Sequence, residues 1–120
     1  MKFTRLVPNV FYKDINSGLK TFVDCLEFTI GYNELNSKHP LCVVEKDHLR
    51  VNLFEDYKYA DEHNPEFRLV TDNIEEVYEK VKATHPELLH PNLSVITLRP
   101  WGAREFAIKD EQIGIIIQKW

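Results

Sequence analysis

The sequence holds only two cysteines, Cys25 and Cys42, and only four glycines, Gly18, Gly31, Gly102 and Gly114. Two cysteines make no disulfide framework. Both lie in apolar stretches, "VDCLEF" and "PLCVVE", which predicts buried, reduced thiols. Glycines this few and this scattered cannot build a phosphate-cradling loop. There is no P-loop, no dinucleotide fingerprint, no GxSxG elbow and no CxxC pair. Positive charge is also short: 15 Lys and Arg stand against 19 Asp and Glu, for a net charge of −4. Without a basic stripe to displace counterions from phosphates, nucleic acid is not an expected partner. No apolar run approaches the ~20 residues that span a bilayer. The opening "MKFTRLVPNVFYKD" has neither the apolar core nor the cleavage site of a signal peptide. No membrane partner is expected, and a cytoplasmic location is.

What is present suits a globular α+β protein. The chain has 120 residues, of which 43% are hydrophobic. That length allows roughly two thirds of the unfolded chain's surface to be buried, so residues 1–120 are expected to form a single domain.

The pattern of periods runs twice. "RLVPNVFY" (5–12) has strand composition, and "KDINSGLKTFVDCLEF" then turns helical. Leu19, Phe22, Val23 and Leu26 fall at i, i+3, i+4 and i+7, with Asp14 as N-cap. Residues 27–33, 40–46 and 48–55 read as three strands. In the last of them Leu49, Val51 and Leu53 alternate with Arg50, Asn52 and Phe54. "DYKYADEHNP" reads as a polar linker. The order then restarts: strand 65–71, helix 72–85 with Ile74, Val77, Tyr78 and Val81 on one face, and strands over 93–98, 104–109 and 113–120. Asp14 and Asp72 precede the two helices at an offset of 72 − 14 = 58. This predicts two tandem βαβββ units, about 4–56 and about 65–120. One face of each sheet takes its helix. The other carries mixed residues, Asn9, Phe11, Arg50, Asn52, Phe54, Glu66 and Arg68, as a ligand-lining surface does. Glu75, Glu76, Glu79, Lys80 and Lys82 are the solvated face of the second helix.

The late stretch "PWGAREFAIKD" (100–110) and the front "VPNVFYKDINSGLKTFVDCLEFTIGY" resemble the glyoxalase/bleomycin resistance protein/dioxygenase superfamily, the vicinal-oxygen-chelate fold. Within it the chain is most similar to the metal-free bleomycin resistance proteins. Their late hairpin reads proline-tryptophan-glycine, then arginine-glutamate-phenylalanine-alanine, here with Ala103 as one extra or variable position. Val7, Pro8, Asp14 and Phe22 match the front. The resemblance implies curved mixed sheets around a cleft, a homodimer sharing each cleft between subunits, and sequestration of a partly aromatic ligand such as a bleomycin-type antibiotic. It leaves open whether an N-terminal strand is exchanged.

Trp101 corresponds to the tryptophan that stacks on the drug's rings in that family. Glu66 and Glu105 are candidates to hold a cationic tail, Arg68 and Asn52 to donate hydrogen bonds, and Phe11, Tyr32 and Phe54 to wall the cleft. Glu105 has an alternative partner in Arg104 or a neighbour's lysine. No catalytic residue, metal or cofactor is assigned. The alternative is a metal-dependent glyoxalase or dioxygenase of the same fold. The four ligand positions of glyoxalase I fall near Val7, Asn52, Glu66 and Gln118, with Ile117 as the one-residue alternative to Gln118, and of these only Glu66 is a strong ligand. His39, His48, His63, His85 and His90 show no ligand spacing and read as surface residues.

Overall fold

The computed structural model describes residues 1–120. The chain divides into two compact units, Met1–His63 and Asn64–Trp120, and each carries one four-stranded mixed sheet.

In the first unit β1 (Asn9–Tyr12) is followed by α1 (Ile15–Leu19), a π-helical stretch over Lys20–Cys25, then β2 (Thr29–Asn33), β3 (Leu41–Lys46) and β4 (Leu49–Glu55). The strand order is β1-β4-β3-β2, with β1 parallel to β4 and the other pairs antiparallel. The side chain of Asp14 caps α1 as its position predicts, accepting from the Asn16 N–H at 3.0 Å.

The buried face of the helix shares Phe22 and Leu26 with the predicted one and is rotated toward Ile15, Gly18 and Cys25. Ile15, Gly18, Phe22, Cys25 and Leu26 are buried, whereas Leu19 and Val23 are only half-buried. Gly18 decides this orientation. A Cβ there would stand 2.6 Å from Cε2 of the buried Tyr12, so the bare glycine lets α1 lie against that ring. The π-turn closes with the Leu26 N–H bonded to the Thr21 carbonyl at 3.1 Å, and Glu27 at φ 62° ends the helix. The reversal through Glu27 delays the next strand to Thr29. The first strand is likewise shorter than predicted and begins at Asn9.

Val10, Tyr12, Cys42, Val44 and Leu53 form the helix-facing side of this sheet, with Phe22 edge-on to Phe28 at 5.3 Å. Neither cysteine forms a disulfide and both are buried as predicted, and burial pushes the Cys42 thiol up.

Residues 56–65 are not the loop their polarity predicts. They hold α2 (Tyr57–Glu62), capped by Asp56, which accepts from the Tyr59 N–H at 3.0 Å. A six-residue helix leaves almost no periodic signal. It is anchored by one buried alanine, Ala60, and by Tyr59 packing on Phe11 at 5.0 Å.

The second unit repeats the order as β5 (Glu66–Val70), α3 (Ile74–Thr84), β6 (Thr97–Leu98), β7 (Arg104–Lys109) and β8 (Gly114–Lys119), paired β5-β8-β7-β6. The α3 face matches its prediction: Ile74 and Val81 are buried, and Tyr78 meets Phe106 edge-on at 5.1 Å. Phe106, Ile108, Ile115 and Ile117 complete the layer, all essentially fully buried. Each such side chain contributes about 1.5–3 kcal/mol.

The N-cap of α3 is Asn73 rather than Asp72: its side chain accepts from the Glu76 N–H and donates to the Glu76 carboxylate, both at 3.2 Å. The offset between the units is therefore 73 − 14 = 59, which superposes Ile15 on Ile74 and Phe22 on Val81. Strand β6 is only two residues long. Upstream of it, residues 89–93 run beside β7 instead, through the His90 N–H to the Ala107 carbonyl at 2.9 Å and the Ala107 N–H to the Leu93 carbonyl at 2.8 Å. A one-turn 3₁₀ helix, Pro86–Leu88, precedes them and was not predicted.

Candidate functional site

The register of the second sheet sorts its residues by face. Glu105 pairs with Gln118 and Thr97, Ala107 with Ile116, and Arg68 with Ile116 from the other side. Glu66, Arg68, Glu105, Ile116 and Gln118 therefore project from the face opposite α3, because side chains at matched positions share a side. Arg104 projects to the α3 side, where it pairs with Glu75 and holds that carboxyl below its usual range. The alternative of an Arg104–Glu105 pair is thereby corrected: consecutive strand residues face opposite ways.

Glu105 is the centre of this face. It is 1% exposed, a buried carboxylate with three donors on one oxygen. Its Oε2 accepts from Arg68 Nη1 at 3.0 Å, Trp101 Nε1 at 2.9 Å and Gln118 Nε2 at 3.0 Å. Its Oε1 faces Arg99 Nε at 3.9 Å, beyond hydrogen-bond range. Taking a carboxylate out of water costs several kcal/mol unless it is paired. Charge-assisted bonds of about 1.5–3 kcal/mol each offset that cost.

Trp101 stands at the tip of the hairpin that enters β7. The Gly102 N–H closes the turn on the Arg99 carbonyl at 2.9 Å, and the Arg99 N–H bonds to the Ala103 carbonyl at 2.8 Å. Pro100 occupies the second position of that turn, where its fixed φ suits, and Gly102 takes φ 98°, open to glycine at little cost. The indole keeps 48% exposure. Its ring is held by Glu105 at the nitrogen and by the Arg99 guanidinium, 4.8 Å from the ring centroid.

The other candidates lie elsewhere. Glu66 is exposed at the start of β5 and lines a groove of about 250 Å³ with His90, Lys109 and Asp110. In the first unit, Asn52 donates to Asn9 Oδ1 at 3.0 Å and Phe54 stacks on Phe11 at 5.2 Å. Tyr32 is 53% exposed on edge strand β2, with its phenol pKa raised by the Glu34 carboxylate beside it. The structure thus brings Trp101, Arg68 and Glu105 into one cluster. Sequence reading missed Arg99 and the contact made by Gln118. A lone glutamine in "GIIIQKW" was the available signal, since a polar residue in a buried strand needs a partner.

Neither a protein-family profile nor a curated protein sequence matches the chain. Solved structures do. A bleomycin-binding protein complexed with bleomycin superposes with a TM-score of 0.75 at 17% identity, over 98% of this chain and 99% of that one. The bleomycin-binding protein from bleomycin-producing Streptomyces verticillus, complexed with copper(II)-bleomycin, gives 0.72 at 16%, over 98% and 96%. The chain has the glyoxalase/bleomycin resistance fold. Lactoylglutathione lyase from Agrobacterium tumefaciens shares it too, with a TM-score of 0.70 at 10% identity over 97% and 92%. At these identities the likeness establishes the glyoxalase/bleomycin resistance fold and leaves activity to the residues.

The four residues that the resemblance to glyoxalase I assigns to metal positions are poorly furnished with donors. Val7 has no donor atom, the Asn52 amide is engaged with Asn9, and the Gln118 amide is engaged with Glu105. Only Glu66 offers a carboxylate, and no group of three or more His, Cys, Asp or Glu residues is placed to hold an ion. These donors do not fit a catalytic transition metal, which wants three or four imidazole or carboxylate ligands.

Proposed function

We propose that this protein is a metal-free binding protein that sequesters a small, partly aromatic molecule, the ring stacking on Trp101, with no bond made or broken. The observation that carries this reading is the half-exposed indole held in place by a buried carboxylate. A ring that is already oriented loses little freedom when a ligand stacks on it. Stacking contributes about 0.5–1.5 kcal/mol beyond the area it buries. The bleomycin-binding proteins of the same fold were crystallised with bleomycin, which supports an antibiotic of that type as the first ligand to try. An isomerase or dioxygenase reading would need a metal-ligand set that Val7, Asn52 and Gln118 do not supply.

The proposal extends to assembly. Residues 1–120 act as one domain, located in the cytoplasm, and a homodimer shares the ligand cleft. Support comes from β2, an edge strand whose five residues are all exposed, since a second copy can cover such an edge.

Isothermal titration with a panel of planar compounds, bleomycin among them, tests the function. Saturable binding that Trp101→Ala weakens is the expected result. Binding unaffected by Trp101→Ala, or no saturable binding of bleomycin or of any planar compound in a metabolite library, overturns it. Sedimentation tests the assembly: a mass twice 14.2 kDa is expected, and a monomer at tens of micromolar would overturn it.

A further inference from the structure

The charges around Trp101 select among planar ligands. Two guanidinium groups, Arg68 and Arg99, converge on one carboxylate, Glu105, which leaves one net positive charge. The Glu105 carboxylate is buried and its Oε2 is already shared among three donors, so burial keeps a cation arriving from solvent away from it. Arg68 and Arg99, by contrast, keep 45% and 34% of their side-chain surface exposed.

Arg99 is the least satisfied of the group. No nitrogen of its guanidinium makes a hydrogen bond to the protein, and its Nε is buried without a partner. Its guanidinium carbon lies 4.8 Å from the centroid of the Trp101 ring. A guanidinium presents five donors in a planar fork that matches a carboxylate or phosphate. Here one fork lies against an indole and another, Arg68, is fixed through the carboxylate that also holds that indole.

We infer that the ligand bound at Trp101 is an aromatic acid: a planar ring for the indole, bearing a carboxylate, phosphate or sulfate that Arg68 and Arg99 receive together. Glu105 is then a positioning residue that orients the indole and Arg68 and is itself shielded from the ligand. This inference rests on the binding role of Trp101 and reverses the cationic tail expected from Glu66 and Glu105 in the sequence.

The test uses three probes that share one ring: 2-naphthoate, its neutral amide, and the cationic 2-naphthylmethylamine. Each is titrated into the full chain labelled with ¹⁵N-tryptophan, and the Trp101 indole signal is followed, with Trp101→Phe assigning it. The naphthoate should bind about tenfold or more tightly than the other two, as one charge-assisted contact provides. That preference should shrink as salt is raised. Arg99→Gln leaves Glu105 its three donors, and it should abolish the preference while the neutral amide still binds. Equal affinities for all three probes, or tightest binding of the amine, would overturn the anionic assignment and leave the stacking role intact. A Trp101 signal that none of the probes moves would overturn the stacking role and this inference with it.

Discussion

Glu105 accepts the indole N–H of Trp101 at 2.9 Å across the first turn of the same hairpin. The bond links a buried carboxylate to a half-exposed ring, so it separates a group that sustains the structure from one that is available to a ligand.

The separation has a measurable form at Trp101. Trp101→Ala should cost about 1.5–3 kcal/mol of stability, the scale of one lost hydrogen bond to a charged group. Emptying a core aromatic site costs about 3–5 kcal/mol. Ligand affinity should fall by roughly 1–3 kcal/mol, as at a stacked anchor residue. Urea unfolding and titration calorimetry on the one variant read both numbers. A loss of stability on the core scale would make Trp101 a structural residue.

Glu105 should behave in the opposite sense. Glu105→Ala removes the common acceptor of Arg68, Trp101 and Gln118. Arg68 and Trp101 can turn to water, whereas Gln118 is only 4% exposed and is left unpaired. A destabilisation of about 2–4 kcal/mol is expected, below the full penalty of a wholly buried pair. Glu105→Gln keeps one acceptor oxygen and should cost less. Urea midpoints of the two variants in the reverse order would contradict this account.

Gly18→Ala sets two effects against each other. Alanine improves helix propensity by about 1 kcal/mol. Its methyl would sit 2.6 Å from Cε2 of the fully buried Tyr12, so the ring would have to shift. Overpacking of this kind costs about 1–3 kcal/mol, so the net change should be destabilising. An unchanged or raised melting temperature would show that the ring moves freely.

Burial raises the Cys42 thiol above its ordinary value of 9.0. The folded state therefore favours the protonated form. Its contribution to stability is complete below pH 9 and declines as the pH rises through the folded value. Cys42→Ser should flatten the alkaline side of the stability curve relative to the parent, by urea unfolding between pH 8 and pH 10.5. In the native state the thiol should also react slowly with a disulfide reagent, and a fast reaction at neutral pH would show that it is accessible.

Local chemistry was legible in the chain. Strand alternation in "HLRVNLFE" and "REFAIK" placed the two faces correctly, because side-chain direction along a strand depends only on parity. Asp14 was legible as a cap, and "RPWG" as a turn exposing its tryptophan, because capping and turn geometry act over three or four residues. Tertiary structure decided the rest. The rotation of α1 depends on Tyr12 meeting Gly18, and α2 exists because Ala60 and Tyr59 find the first sheet, neither of which shows as a period. The Glu105 cluster draws its donors from 4, 13 and 37 residues away. The turn delivers Trp101, but strand register brings Gln118 and Arg68 to Glu105, and register is a property of paired strands that no single strand contains.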